Sequence, residues 1–307
     1  MKKFAIIIFT YNRPHHLRKC LAYLNKNLSR KNMDVFIFKD HLLDKKINQE
    51  YNEIFKILDK KKIKIILRKK KYGLKRNIID GISIIAKKYT YLIILEDDLK
   101  LSKNFIKFMK FNLIYFKNTQ IAGVSGYSFN KVNDNLNEIY LSQLTSSWGW
   151  GTWSNKWQEF IKRDFEKTKK NFFNNKELIK KFNFNNSQNH TKWLKRSDEG
   201  KLQSWNIQWE YFCFVNNYLT VYPKYTFVEN LGFNQGTHFA YSFDNFQKIN
   251  EKFTDRLLIH KKWEKIKDIK ELFVTRKTLS KNIKKNFTTR LLNKLFLVKN
   301  KINLIKS

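Results

Sequence analysis

Five short apolar runs punctuate the first 130 residues: Phe4–Phe9, Val35–Phe38, Ile63–Leu67, Tyr91–Leu95 and Ile121–Val124. They are rich in β-branched residues and lack alternation, which predicts strands buried on both faces of a parallel sheet. Between them, helical periodicity covers Pro14–Leu24, Asn48–Asp59, Leu74–Lys87 and Asn104–Phe116. Pro14 suits the first turn of its helix, and Ser102 is placed to cap the last. The βαβα order predicts an α/β fold with a doubly wound, mostly parallel sheet flanked by helices.

From about Val132 to Phe184 the pattern turns irregular and aromatic, centred on Trp148-Gly149-Trp150-Gly151-Thr152-Trp153. A second aromatic cluster holds Trp205, Trp209, Tyr211 and Phe212. Beyond Glu271 the chain has ten Lys/Arg and no acid, with Phe287, Leu291, Leu295, Val298 and Ile302 at helical spacing. No repeat and no Gly/Ser/Pro linker interrupts it. The expected organisation is one domain over 1–250, with halves 1–130 and 131–250, and a basic helical tail over 251–307.

Composition narrows the class. An apolar content of 42% with 16% aromatics supports a large core and excludes wholesale disorder. Sixty-two Lys+Arg against 26 Asp+Glu give a net charge of +36, which favours polyanionic partners: nucleic acid, an anionic membrane face or phosphorylated substrates. Cys20 and Cys213 provide neither a disulfide framework nor zinc spacing, as expected in a reducing compartment. The apolar Phe4–Phe9 stretch is too short for an export signal, and no run has the length of a membrane-spanning helix. The expected location is cytoplasmic, peripheral on the inner face of the cell membrane.

The candidate chemistry begins at Glu96-Asp97-Asp98, three carboxylates closing a buried strand. Ligands of open α/β sheets bind at the carboxyl ends of strands. Acids grouped there either face solvent as an ordinary turn or hold a hard divalent cation through oxygen ligands. Phe9-Thr10-Tyr11-Asn12-Arg13-Pro14 follows the first strand, where backbone groups at a helix start can meet a base or phosphate. Lys71-Tyr72-Gly73-Leu74-Lys75-Arg76-Asn77 offers a glycine for close backbone approach and two cations; a solvated helix start would look the same.

Taken in order, these segments resemble GT-A glycosyltransferases. Ser147–Trp153, Ser204-Trp205-Asn206-Ile207-Gln208-Trp209 and Val228-Glu229-Asn230-Leu231-Gly232-Phe233 leading to Gly236-Thr237-His238 make the chain similar to the bacterial family-2-like sugar transferases. Those are similar in turn to the Golgi mannoside N-acetylglucosaminyltransferases. The resemblance spans roughly residues 4–240.

It implies a nucleotide-sugar pocket lined by Thr10, Asn12 and Arg13, with Asp40 near the base or ribose. Gly73, Lys75 and Arg76 would face the diphosphate or donor sugar. Glu96 and Asp97 would belong to the same pocket, and Asp98 would ligate Mn2+ or Mg2+. His238 is a candidate second metal ligand, phosphate contact or structural histidine. Trp148, Trp150, Trp153 and Trp205 would either stack on acceptor sugar faces or pack in the core. Inverting transfer needs a carboxylate base. Many relatives carry Asp where this chain has Asn206, so the nearby acids are Asp198, Glu199 and Glu210, with Glu210 preferred because it sits in the aromatic cluster rather than in the polar Arg196–Lys201 loop.

The implied function is metal-dependent, inverting transfer of a hexosyl or N-acetylhexosaminyl group. Its donor would be a nucleoside-diphosphate-sugar (UDP-linked by expectation). Its acceptor would be a bacterial surface glycan, lipopolysaccharide or capsule, or a lipid-linked oligosaccharide. The tail would bring the enzyme to an anionic leaflet. Two rivals stand beside this reading. A nucleotidyltransferase would need a Gly-rich triphosphate loop near the first strand, which the chain lacks. A non-enzymatic nucleic-acid binder would account for charge and tryptophans but not for the buried-strand carboxylates.

Overall fold

The structure, a computed structural model, describes residues 3–27, 33–59, 62–128, 139–186, 188–232 and 249. Four parallel strands form one side of its main sheet: β1 (Phe4–Thr10), β2 (Asp34–Lys39), β3 (Ile63–Leu67) and β4 (Tyr91–Glu96). Every residue of β1 is buried, and its side chains alternate between two cores. Phe4, Ile6 and Ile8 enter one; Ala5, Ile7 and Phe9 enter the other. β3, by contrast, is an edge strand, and its Lys64 and Leu67 are exposed.

The helices cover both faces. On one lie α1 (Pro14–Asn25), α2 (Lys45–Lys56) and α4 (Phe105–Tyr115). On the other lie α3 (Leu74–Ala86), α5 (Ser154–Lys162) and α9 (Asn206–Val215). α6 (Phe165–Phe173), α7 (Lys176–Phe182) and α8 (His190–Asp198) build a third apolar cluster against α9. α2 starts three residues earlier than its periodicity predicts, because Asp44 accepts the Ile47 N–H at 3.0 Å and caps it. α4 is preceded by Asn104 in the cap position, and Ser102 Oγ instead accepts the Asn104 N–H at 3.2 Å.

The rest of the sheet is mixed. β5 (Leu99–Leu101) leaves the main sheet and pairs antiparallel with β10 (Val228–Asn230). β6 (Ile121–Ser125), β7 (Ile139–Ser142), β8 (Trp150–Trp153) and β9 (Leu219–Pro223) complete the order β3-β2-β1-β4-β8-β6-β9-β7. β8 is antiparallel to both β4 and β6, so a late strand is inserted into the middle of the sheet. Residues 1–130 and 131–250 therefore contribute strands to one sheet. Among the described residues, no helix is long and apolar enough to cross a membrane. The tail 251–307 and His238 lie outside the described residues.

Candidate functional site

The carboxyl ends of β1, β2 and β4 converge on one edge of the sheet, because the three strands are parallel neighbours in register. Thr10 ends β1, Asp40 follows β2, and Glu96-Asp97-Asp98 ends β4 and begins the turn into β5. Thr10 Oγ1 donates to Asp97 Oδ2 at 2.6 Å. Arg13, at the mouth of α1, meets Asp98 Oδ2 with Nη1 at 3.1 Å. Asn12 is exposed on the turn between them.

Three carboxylates packed this closely resist ionisation. Burial, then the Asp98 charge, push Glu96 up to about 8. The same two causes push Asp97 up to about 7, against the opposing pull of the Thr10 hydroxyl and Arg13. Burial also raises Asp98, and Arg13 opposes it. Asp98 Oδ1 is buried without a hydrogen-bond partner among the described residues. An orphaned carboxylate oxygen beside two further acids fits a hard cation, since an oxygen-ligated divalent ion would satisfy it and offset the repulsion. These three acids do not converge as a ready-made cluster of ligands, and no group of three or more potential ligands does so among the described residues.

The chain returns to this point from far away in sequence. β10 pairs with β5, the Leu231 N–H donates to the Asp98 carbonyl at 2.8 Å, and Gly232 comes to rest on the ion pair. A Cβ on Gly232 would press on the Asp98 carboxylate and stand 3.0 Å from Arg13 Nη1, so a side chain there would have to displace the ion pair.

A second wall is built around Asp40. Its carboxylate accepts three backbone N–H groups, from His41, Tyr72 and Gly73, each at 2.8 Å. Gly73 has φ +75°, which lets the loop turn both amides toward Asp40 before α3 begins. Asp40 thus clamps the loop after β3 to the end of β2. The Tyr72 ring carries the guanidinium groups of Arg68 and Arg76, each 4.5 Å from its centroid. Lys75 turns away from this wall: its Nζ donates to the carbonyl and Oγ of Ser197, at 3.0 and 3.2 Å, at the end of α8. Burial lowers its pKa.

The candidate residues of the second half divide sharply. Trp150, Trp153 and Trp205 are 2%, 2% and 3% exposed. Trp150 stacks on Trp205 at 5.1 Å, and Trp153 Nε1 donates to the Leu113 carbonyl at 2.8 Å. These three rings are core, with no open face for a sugar. Trp148 is only partly buried and sits edge-on to Tyr127. Glu210 is also interior, 3% exposed, with its carboxylate 3.0 Å from His190 Nδ1. Asp198 lies near the surface at the end of α8, held by Lys169 Nζ at 2.6 Å and Gln208 Nε2 at 3.2 Å. Local sequence pattern gives no signal for the roles of Tyr72 and Arg68, and only the Val228–His238 segment points to the seat of Gly232.

A family model described as Glycosyl transferase family 2 matches residues 5–179. No curated protein matches. Among solved structures, the chain is similar to S. aureus TarS 1–349, at 13% identity over 83% of this chain and 69% of that one, with a TM-score of 0.43. It is also similar to the mannosyltransferase PcManGT from Pyrobaculum calidifontis in complex with GDP-Man and Mn2+ (13%, 40% and 34%, TM-score 0.30). GalNAc-T7 with UDP, GalNAc and Mn2+ is a third (14%, 52% and 36%, TM-score 0.39). The chain spans about a third of the length of the last two.

Proposed function

The chain belongs to glycosyl transferase family 2 and is a glycosyltransferase of GT-A fold, and from this premise we propose that it is metal-dependent and inverting. The donor in this reading is a nucleoside-diphosphate-sugar, UDP-linked by preference. The acceptor is a bacterial surface glycan or lipid-linked oligosaccharide. The observation that carries the reading is Asp98: a half-buried carboxylate in the turn after β4, with one oxygen on Arg13 and the other without a hydrogen-bond partner among the described residues.

Asp98 would hold Mn2+ or Mg2+, with His238 as a further candidate ligand. When bound, such an ion supplies Lewis-acid charge against the leaving diphosphate. Thr10, Asn12 and Arg13 would receive the nucleotide, with Glu96 and Asp97 behind them. Asp40 would act on the nucleotide chiefly through the loop it holds, since three amides occupy most of its acceptor sites. Gly73 and Arg76 would then face the donor from that loop, whereas Lys75 braces the two halves. Of the two candidate bases, Asp198 is favoured over Glu210, with side-chain exposures of 26% and 4%. Trp148 is the favoured acceptor contact. The basic tail would hold the enzyme, cytoplasmic, to an anionic leaflet.

The test is nucleotide binding. Wild-type protein with Mn2+ should melt higher with UDP or GDP and not with CMP, and chelation should remove the shift. Indifference to both diphosphates would sink the donor reading.

The acids add a pH signature. Their folded pKa values lie above the unfolded ones, so the folded state binds more protons between them. Stability from this cluster is full below about pH 4 and is lost as pH rises through about 7 and 8. Metal-free protein should accordingly lose melting temperature from pH 5 to pH 8, and Mn2+ should restore most at pH 8. His16, which burial lowers to about 4, adds stability as pH rises over part of the same range and works the other way, so the acids are read by difference: an identical pH response in wild type and Asp98→Asn would contradict them.

A further inference from the structure

Tyr51 lies on α2 and belongs to no motif, yet it touches the ends of two strands and, through Thr10, a third. It is fully buried. Its hydroxyl is 2.5 Å from Thr10 Oγ1 and 3.1 Å from the Arg13 backbone nitrogen. Lys39 Nζ, at the end of β2, stands 4.9 Å from its ring centroid and donates to Asn48 Oδ1 at 2.7 Å one turn earlier on α2.

Proton counting orients the chain of bonds. Thr10 has one hydroxyl proton and gives it to Asp97 Oδ2. Thr10 Oγ1 therefore accepts from Tyr51, whose oxygen in turn accepts the Arg13 N–H. Burial raises the Tyr51 pKa far above its ordinary value, so the phenol stays a donor. The bonds run in one direction, from the Arg13 amide through Tyr51 and Thr10 to Asp97. Arg13 is also the residue whose side chain reaches Asp98.

We propose that Tyr51 is a positioning residue for nucleotide binding: its hydroxyl holds the turn between β1 and α1, and the Asp97 carboxylate beside it, in the shape that meets the donor. The proposal rests on the nucleotide-sugar reading. Without the hydroxyl, the Arg13 amide and Thr10 Oγ1 both lose a buried partner, and part of the binding energy must go into ordering the turn.

Tyr51→Phe tests this, because it keeps the ring and the Lys39 contact. Thr10→Val breaks the same chain one link further on. Tyr89→Phe is the control: its hydroxyl donates to Asp34 Oδ2 at 2.5 Å, at the start of β2 and so at the opposite end of the sheet. Affinity for UDP and for GDP, each with Mn2+, would be measured by calorimetry, and amide exchange followed over residues 10–16. Tyr51→Phe should weaken whichever nucleotide the wild type binds by about tenfold and speed exchange at Arg13. Thr10→Val should follow it, and Tyr89→Phe should leave affinity within about twofold. Wild-type affinity in Tyr51→Phe, unchanged Arg13 exchange, or equal weakening by Tyr89→Phe would each overturn the proposal. A wild type that binds neither nucleotide condemns the donor reading itself, and that result is visible without any variant.

Discussion

Asp98→Asn is expected to lower the transfer rate by about a thousandfold without lowering the melting temperature of the metal-free protein. The substitution keeps the shape and one acceptor for Arg13 and removes only the charge. For binding a hard cation, the charge is what matters, and Lewis-acid stabilisation of a leaving diphosphate is worth several kcal/mol. For folding, the same charge is a liability. After burial, it is the largest cause pushing both Glu96 and Asp97 up. Its loss lets both neighbours ionise more easily, while Arg13, whose side chain is 19% exposed, keeps the amide oxygen and its contact with water. Opposite signs in activity and stability distinguish a functional acid from a structural one. Initial rates with the donor identified by binding, together with melting curves in chelator, would check it. Retention of more than about a tenth of the activity, or a drop of many degrees in melting, would remove Asp98 from the site.

The second large effect lies in the core. Trp150→Ala should cost about 3–5 kcal/mol, a large share of the stability of an ordinary domain. Trp150 stacks on Trp205 and leans on Trp157 and Trp209, at centroid distances of 5.1, 6.3 and 5.4 Å. It also stands in β8, whose backbone joins β4 to β6, so a cavity there opens at the centre of the sheet. Trp150→Phe should cost far less. The indole Nε1 is buried with no acceptor among the described residues, and phenylalanine removes that unmet donor together with part of the ring. Denaturant unfolding of the two variants would measure the contrast. Equal losses would mean that the indole has a partner, and a loss below about 1 kcal/mol for alanine would place the ring outside the core.

The contrast shows what could be read along the chain. Strands buried on both faces announce themselves as unbroken β-branched runs, and β1, β2, β3, β4 and β6 lie within a few residues of where those runs fall. β8 gives no such signal. Trp-Gly-Thr-Trp is short and aromatic, and its neighbours in the sheet come from before residue 126. Tryptophan also supports two readings, a sugar platform or packing, and only the surrounding Trp157, Trp205 and Trp209 decide for packing at Trp150. Glu210 was ambiguous in a similar way. Proximity to aromatic residues suggested a cluster around a site, whereas in three dimensions an aromatic cluster on α9 is interior.

Around the carboxyl ends of β1, β2 and β4, the positions are legible in the sequence but the bonds are not. Asp40 stands after β2 as expected, yet two of its three amides come from residues 32 and 33 further on. Tyr51 is 41 residues from Thr10, on a helix with no motif at all. Hydrogen bonds across such separations depend on helix placement over the sheet, which local patterning does not encode.

Gly232, seated on the Arg13–Asp98 pair, has a practical consequence for anyone who cuts or recombines this chain. The family match stops at residue 179, but β9, β10 and α9 come later. A fragment ending at 179 would strip β6 of one neighbour, remove β10 from β5 and take Trp205 and Trp209 away from Trp150. Bare strand edges and an opened aromatic core favour aggregation. The smallest transplantable unit therefore extends at least to Gly232, and a chimera that exchanges the half after residue 130 must bring, with the incoming half, the glycine that sits on the Arg13–Asp98 pair.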